Sequence, residues 1–168
     1  MSQPLTRPAE GLSRAQRYAE LDQALAGLLD GERDPIANLA NAAALLYALL
    51  PELNWAGFYL LRDGGLVVGP FQGKPACVRI ALGDGVCGTA AATRTTVIVP
   101  DVHAFPGHIA CDADSNSEIV VPLVAAGRLV GVLDLDSPRL GRFDAEDGRG
   151  LEAFAARLVA GTDFGPLG

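Results

Sequence analysis

The chain has 168 residues, enough for one domain with a full core. With 49% hydrophobic residues and a mean hydropathy of +0.25, it is too apolar for a disordered chain. A net charge of −7 leaves no basic stripe for nucleic-acid phosphates. No run approaches the roughly 20 apolar residues that span a membrane. Residues 1–11 hold Pro4 and Pro8 but no apolar stretch of a signal peptide, so a cytoplasmic protein is expected.

The chain reads as a tail over residues 1–12, one domain over 13–161 and a tail over 162–168. Ser13 can cap a helix whose stripe is Tyr18, Leu21, Leu25, Leu28 and Leu29, closed by Gly31. Asp34-Pro35 starts a second helix, with Ile36, Leu39, Ala40, Ala43, Leu46, Tyr47 and Leu50 as its apolar face and Pro51 as its stop. From Asn54 the period changes to two. Residues 54–61 and 66–69 predict a hairpin around Asp63-Gly64-Gly65, followed by a third strand over 77–82. Gly83-Asp84-Gly85 leads into a short helix over 86–92, and 96–99 is another strand. Residues 119–125 and 128–136 form a second hairpin around Ala126-Gly127. Asp144 caps a last helix carrying Leu151, Phe154, Ala155, Leu158 and Val159, which Gly161 ends. The order of elements implies an α+β domain with an antiparallel sheet.

Cys77, Cys87 and Cys111 are odd in number, ten and twenty-four residues apart, with no C-x-x-C pair. That pattern disfavours a structural zinc knuckle and a permanent disulfide framework. Thiol redox chemistry and three inert buried thiols both remain open. Residues 100–117 make a loop longer than the roughly 12–15 residues at which structureless loops become uncommon and usually functional. It holds His103, His108, Cys111, Asp112 and Asp114, and as a lid it would carry Cys111 to a pocket. His103, His108 and Cys111 are a weak zinc set, with irregular spacing on a loop.

Alternation puts Val130, Val132, Asp134 and Asp136 on one strand face, and Leu129, Leu133 and Leu135 on the other. The two carboxylates then stand about 7 Å apart at their Cα atoms. Glu118 can join them from the preceding strand, making a group able to bind an ammonium or deliver a proton. Trp55, Gly57 and Tyr59 share a face opposite Ala56, Phe58 and Leu60, and can line a pocket for an apolar ligand end. The glycines of Gly83-Asp84-Gly85-Val86-Cys87-Gly88 let backbone N–H groups approach a ligand carboxylate. They do not form a nucleotide loop, and no G-x-S-x-G elbow marks a hydrolase.

Four segments carry a resemblance. Asn54-Trp55-Ala56-Gly57-Phe58-Tyr59-Leu60, Gly69-Pro70-Phe71-Gln72-Gly73, Gly83-Asp84-Gly85-Val86-Cys87-Gly88 and Gly131-Val132-Leu133-Asp134-Leu135-Asp136-Ser137, together with the three cysteines, resemble the GAF-domain free methionine-(R)-sulfoxide reductases. The resemblance runs from about Ser13 to Ala160. It implies a six-stranded antiparallel sheet with helices packed on one face and a ligand pocket closed by a long loop on the other, in a chain that is often a homodimer. It also implies that Cys111 is the catalytic cysteine, Cys77 the resolving one and Cys87 an accessory one. Trp55 and Tyr59 would pack around the methyl-sulfoxide end of the substrate. Glu118, Asp134 and Asp136 would bind its amino group and polarise the sulfoxide oxygen. Free methionine sulfoxide is then the expected substrate, with a thioredoxin-like reductant as partner and no cofactor or metal. The competing expectation is a GAF sensor module that binds a small ligand without chemistry. Such modules usually report to an attached output domain, for which this chain has no room. Asp112, Asp114 and Glu118 are unfavourable neighbours for a thiolate at Cys111.

Overall fold

Two side-chain caps start the first two helices. In the computed structural model, which describes residues 11–165, α1 spans Arg14–Leu29 and α2 spans Pro35–Leu49. Ser13 Oγ accepts from the Gln16 N–H, and the Gln16 side chain accepts from the Ser13 N–H. Asp34 accepts from the Ala37 N–H, and Pro35 takes the first helical position, where no N–H is needed. The tail expected over residues 1–12 lies outside the described residues except at residues 11 and 12, whereas residues 162–165 of the expected C-terminal tail are described and belong to the domain, with Thr162 and Phe164 buried.

The apolar face of α2 is turned from the expected one. Ile36 and Tyr47 are 49% and 39% exposed and Ala40 is exposed, whereas Asn38, Ala42, Leu45 and Leu49 join Leu39, Ala43 and Leu46 inside. Nearly every position of this helix is apolar, so periodicity alone defines no stripe. Asn38 decides it: its Nδ2 donates to the Glu32 carbonyl (3.2 Å) and to Thr162 Oγ1 (3.1 Å), which satisfies the amide inside. Past the last helix the chain stays attached, with the Asp163 N–H donating to the Arg33 carbonyl and Phe164 buried in the core.

The sheet contains β1 (Trp55–Arg62), β2 (Gly65–Gly73), β3 (Arg79–Ala81), β4 (Val97–Val99), β5 (Ser117–Ala125) and β6 (Arg128–Ser137). It is antiparallel, in the order β3-β2-β1-β6-β5-β4. Asp63-Gly64 and Ala126-Gly127 turn both hairpins with positive φ at each residue (50° and 77°, 50° and 76°), the backbone that tight two-residue hairpins require. β2 continues to Gly73, beyond the expected end at Gly69. Gly57 pairs with Phe71 but Tyr59 with Val68, so β2 carries one extra residue opposite Phe58, a bulge that accommodates Pro70. A second bulge corrects the face assignment of β6. Leu123 pairs with Gly131 and Val124 with Leu129, which leaves Val130 as the extra residue. Leu129 therefore packs with Val132 on one face and Val130 with Leu133 and Leu135 on the other.

α1, α2 and α4 (Ala145–Gly161) cover one face of the sheet, burying Ala56, Phe58 and Leu60 with Ile119, Val121, Leu133 and Leu135. Asp144 starts α4 by accepting from the Glu146 and Asp147 N–H groups. The opposite face carries α3 (Gly85–Thr93), packed through Val86, Cys87, Ala90 and Ala91 on Tyr59, Val120 and Val132. α3 covers only part of that face. The remainder is a cleft.

Candidate active site

The cleft is walled on one side by β1. Alternation points Trp55 and Tyr59 into it, and their rings stack at 5.9 Å between centroids, with Phe71 stacked on Trp55 at 5.2 Å. Gly57 makes that stack possible, because a Cβ there would lie 2.3 Å from Phe71 Cβ and 2.8 Å from Trp55 Cη2. Gly57→Ala is expected to cost about 1–3 kcal/mol by overpacking, read as a lower urea midpoint with an altered near-ultraviolet signal from the aromatic stack. An unchanged midpoint would show that the stack shifts freely.

The polar tips of both aromatic rings have a task that their spacing did not suggest. Trp55 Nε1 donates to the Lys74 carbonyl (3.2 Å) and Tyr59 OH donates to the Cys77 carbonyl (3.1 Å). They hold the segment between β2 and β3 at the cleft mouth. Burial pushes the Tyr59 phenol well up, so it stays protonated and a donor.

Residues 100–117 lie across the same mouth. A 3-10 turn, Val102–Ala104, interrupts the loop and anchors it: Val102 is fully buried, its N–H donates to the Asn116 carbonyl, and the Asn116 N–H donates to the Ser137 carbonyl. The tip carries Cys111 to Cys77, and the two form a disulfide with their Cα atoms 5.7 Å apart. Cys111 is exposed and Cys77 half-buried, whereas Cys87 is a buried free thiol on α3. His103 Nε2 donates to Asn116 Oδ1 on the exposed side, and Cys111 is bonded to Cys77. The zinc set of His103, His108 and Cys111 therefore forms no metal-ligating cluster among the described residues.

Three residues that secure the Cys111 loop escaped sequence reasoning. Asn54 Nδ2 donates to Asp112 Oδ2 (3.1 Å) and to Ser115 Oγ (2.9 Å). Lys74 Nζ lies 3.5 Å from Asp112 and also pairs with Asp114, so the sole lysine of the chain joins the Cys77 segment to the Cys111 segment. The Asp114 N–H, followed by Asn54 and Lys74, holds the Asp112 carboxyl below its ordinary range. The acidic loop is thus partly neutralised where it bears Cys111. Its isolation and its place three residues before Cys77 were the only signals Lys74 offered.

Glu118 from β5 and Asp134 and Asp136 from β6 line the floor, and Glu118 pairs directly with Asp136 across the strands. Glu118 and Asp134 are 6% and 5% exposed. Burial pushes the Glu118 and Asp136 carboxyls well above the usual range, and mutual repulsion with Asp134 adds to this. Burial raises Asp134 to about 6. Cys87 Sγ sits 3.9 Å from Glu118 Oε1, and burial followed by Asp134 and Glu118 pushes its thiol far up, so it is a poor nucleophile. His108 Nε2 is 3.7 Å from Glu118 Oε2, and burial lowers its imidazole pKa, which works against an ion pair between them.

Raised carboxyls stabilise the folded chain fully below their unfolded pKa and lose that contribution as pH rises through the folded value. For Asp134 the loss falls between about pH 4 and the folded pKa near 6, and amounts to about 3 kcal/mol. Asp134→Asn is therefore expected to gain in thermal stability relative to the native chain between pH 4 and 8. His108 and Asp112 titrate in both proteins and cancel in the difference, whereas Glu118 and Asp136, relieved of repulsion by Asp134, add to the gain. Parallel melting curves would refute the shift.

A six-stranded antiparallel sheet with three helices on one face, and α3 beside a loop-covered cleft on the other, is the arrangement of a GAF domain, and the chain belongs to the GAF domain family, whose model matches residues 37–160. It is 53% identical to the free methionine-R-sulfoxide reductase of Escherichia coli, over 91% of this chain and 94% of that protein. The structure of the free methionine-R-sulfoxide reductase of Neisseria meningitidis in complex with its substrate superposes with a TM-score of 0.89, at 44% identity over 96% of this chain and 95% of that one. The reduced form of the Staphylococcus aureus enzyme superposes with a TM-score of 0.84, at 50% identity over 86% and 94%.

Proposed function

We propose that the protein reduces free L-methionine-(R)-sulfoxide to L-methionine, with Cys111 as nucleophile and Cys77 as the resolving thiol. The observation that carries this reading is the Cys77–Cys111 disulfide at the mouth of a cleft floored by the buried carboxyls of Glu118 and Asp134 and the half-buried Asp136. The substrate ammonium is received by the Glu118–Asp134–Asp136 group, whose repulsion an added cation relieves. Gly85 and Val86, at the start of α3, line the same cleft, and Asp84 makes no side-chain cap to the helix, so this N-terminus suits the substrate carboxylate. Trp55 and Tyr59 enclose the methyl end.

A carboxyl that keeps its proton at neutral pH donates to the sulfoxide oxygen and makes the sulfur electrophilic. The Cys111 thiolate attacks, the oxygen ends on the Cys111 sulfur, and methionine leaves with its electron pair on the thioether sulfur. The sulfenic acid at Cys111 then condenses with the Cys77 thiol, forming the disulfide and releasing water. A thioredoxin-like dithiol restores both thiols by exchange, which a reducing cytoplasm supplies. The exposed Cys111 sulfur is within reach of such a partner. Cys87, buried beside Glu118, serves the floor of the cleft as an accessory group. No cofactor is needed in this sequence of steps.

The test is a chiral amino-acid assay on racemic L-methionine sulfoxide with the protein and dithiothreitol. Loss of the R epimer alone, with methionine appearing in step, is expected. Persistence of both epimers beside fully reduced protein would instead favour a ligand-binding sensor module.

A further inference from the structure

We propose that Cys87, Glu118 and Asp134 form a binding site for a soft divalent cation, Zn²⁺ foremost, at the floor of the cleft. The Cys87 sulfur and one carboxylate oxygen from each of the other two lie within 4.8 Å of one another, and all three residues are buried. Zinc takes thiolate sulfur at about 2.3 Å and carboxylate oxygen at about 2.0–2.2 Å, so its tetrahedral ligands stand about 3.5 Å apart. Cys87 Sγ and Glu118 Oε1 are already at 3.9 Å. Small side-chain rotations complete the contraction.

An independent observation points into the same space. Asp134 Oδ1 is buried and has no hydrogen-bond partner, although its residue lines the cleft and is only 5% exposed. An unpartnered buried carboxylate oxygen is costly, and a cation satisfies it. His108 Nε2 stands outside this group, 3.7 Å from the second Glu118 oxygen, so water takes the fourth position. The ligands come from α3, β5 and β6, so the fold rather than a local motif assembles them. Binding replaces the proton of the Cys87 thiol, which leaves to solvent, and the sulfur coordinates as thiolate without any redox change. Cys87 takes no part in the disulfide, so the site exists while Cys77 and Cys111 are joined.

The cation would occupy the carboxylates assigned above to the substrate ammonium and would exclude it. This competition rests on the proposed reductase reading, whereas metal binding does not. The experiment uses the full chain with its disulfide intact and no dithiol present. Titration with Co²⁺ should give one ion per chain with a near-ultraviolet thiolate-to-cobalt charge-transfer band, and calorimetry with Zn²⁺ the same stoichiometry.

Cys87→Ser should lose the band, and Asp134→Asn should keep it while weakening Zn²⁺ at least about tenfold. The circular dichroism of each variant reports whether it folds, and Glu118→Gln serves if either does not, with the same tenfold weakening expected. No saturable Co²⁺ or Zn²⁺ binding by the native chain, or a band that persists in Cys87→Ser, overturns the site. Free methionine sulfoxide should bleach the band. An intact band in its presence overturns the competition and leaves the metal site standing.

Discussion

Cys111→Ser is expected to lower methionine production at least about a thousandfold and to abolish it in a single turnover of reduced protein. Three features separate Cys111 from the other two thiols. It is exposed at the cleft mouth, it bonds to Cys77, and the acids around it are held by Lys74 and by the amide of Asn54. Cys87 lacks all three, and its thiol is pushed up by burial and two neighbouring carboxyls. Cys77→Ser distinguishes attack from resolution: one methionine per chain should still form, after which Cys111 remains a sulfenic acid that a dimedone-type probe captures. First-turnover methionine from Cys111→Ser at the native rate would move the attack to another cysteine.

The second large effect is expected from neutralising the cleft floor. Glu118→Gln, Asp134→Asn and Asp136→Asn should each lower kcat/KM about a hundredfold, the value of a buried hydrogen bond to a charged group. The division between the parameters separates their roles. A carboxylate that receives the ammonium acts chiefly through KM, and one that protonates the sulfoxide acts through kcat. Burial raises all three carboxyls and so favours the protonated form of the donor, and kcat should fall as pH rises through its pKa. The variant that removes the donor loses this alkaline limb. If all three retain native kinetics, the floor of the cleft is not where the substrate lies.

These expectations draw on different depths of the chain. Helix starts were legible because Ser13, Asp34 and Asp144 bond to N–H groups two or three residues away, a range over which neighbouring residues suffice. The grouping of Trp55 with Tyr59, and of Glu118 with Asp134 and Asp136, was legible because strand alternation holds where no bulge intervenes. Where a bulge does intervene, at Val130 and opposite Phe58, parity inverts, and no local residue type announced it at Val130.

The inward face of α2 was hidden for the opposite reason, since nearly all its positions are apolar and a partner of Asn38 lies far away at Thr162. The contacts that ready the Cys111 loop were equally hidden. Lys74 meets Asp112 and Asp114, and Asn54 meets Asp112 and Ser115, across about forty to sixty residues.

By itself, then, the sequence determined the α+β class, the helix caps, the two tight turns and the residue types of a thiol and carboxylate site, because each follows from backbone geometry within a few residues. Only the tertiary structure decided that α3 stands beside the cleft, that Tyr59 holds Cys77, and that Cys87 faces Glu118 and Asp134. Contacts of that kind depend on where a chain segment arrives after packing. The raised carboxyls depend on it too, since desolvation belongs to the folded interior rather than to any residue alone.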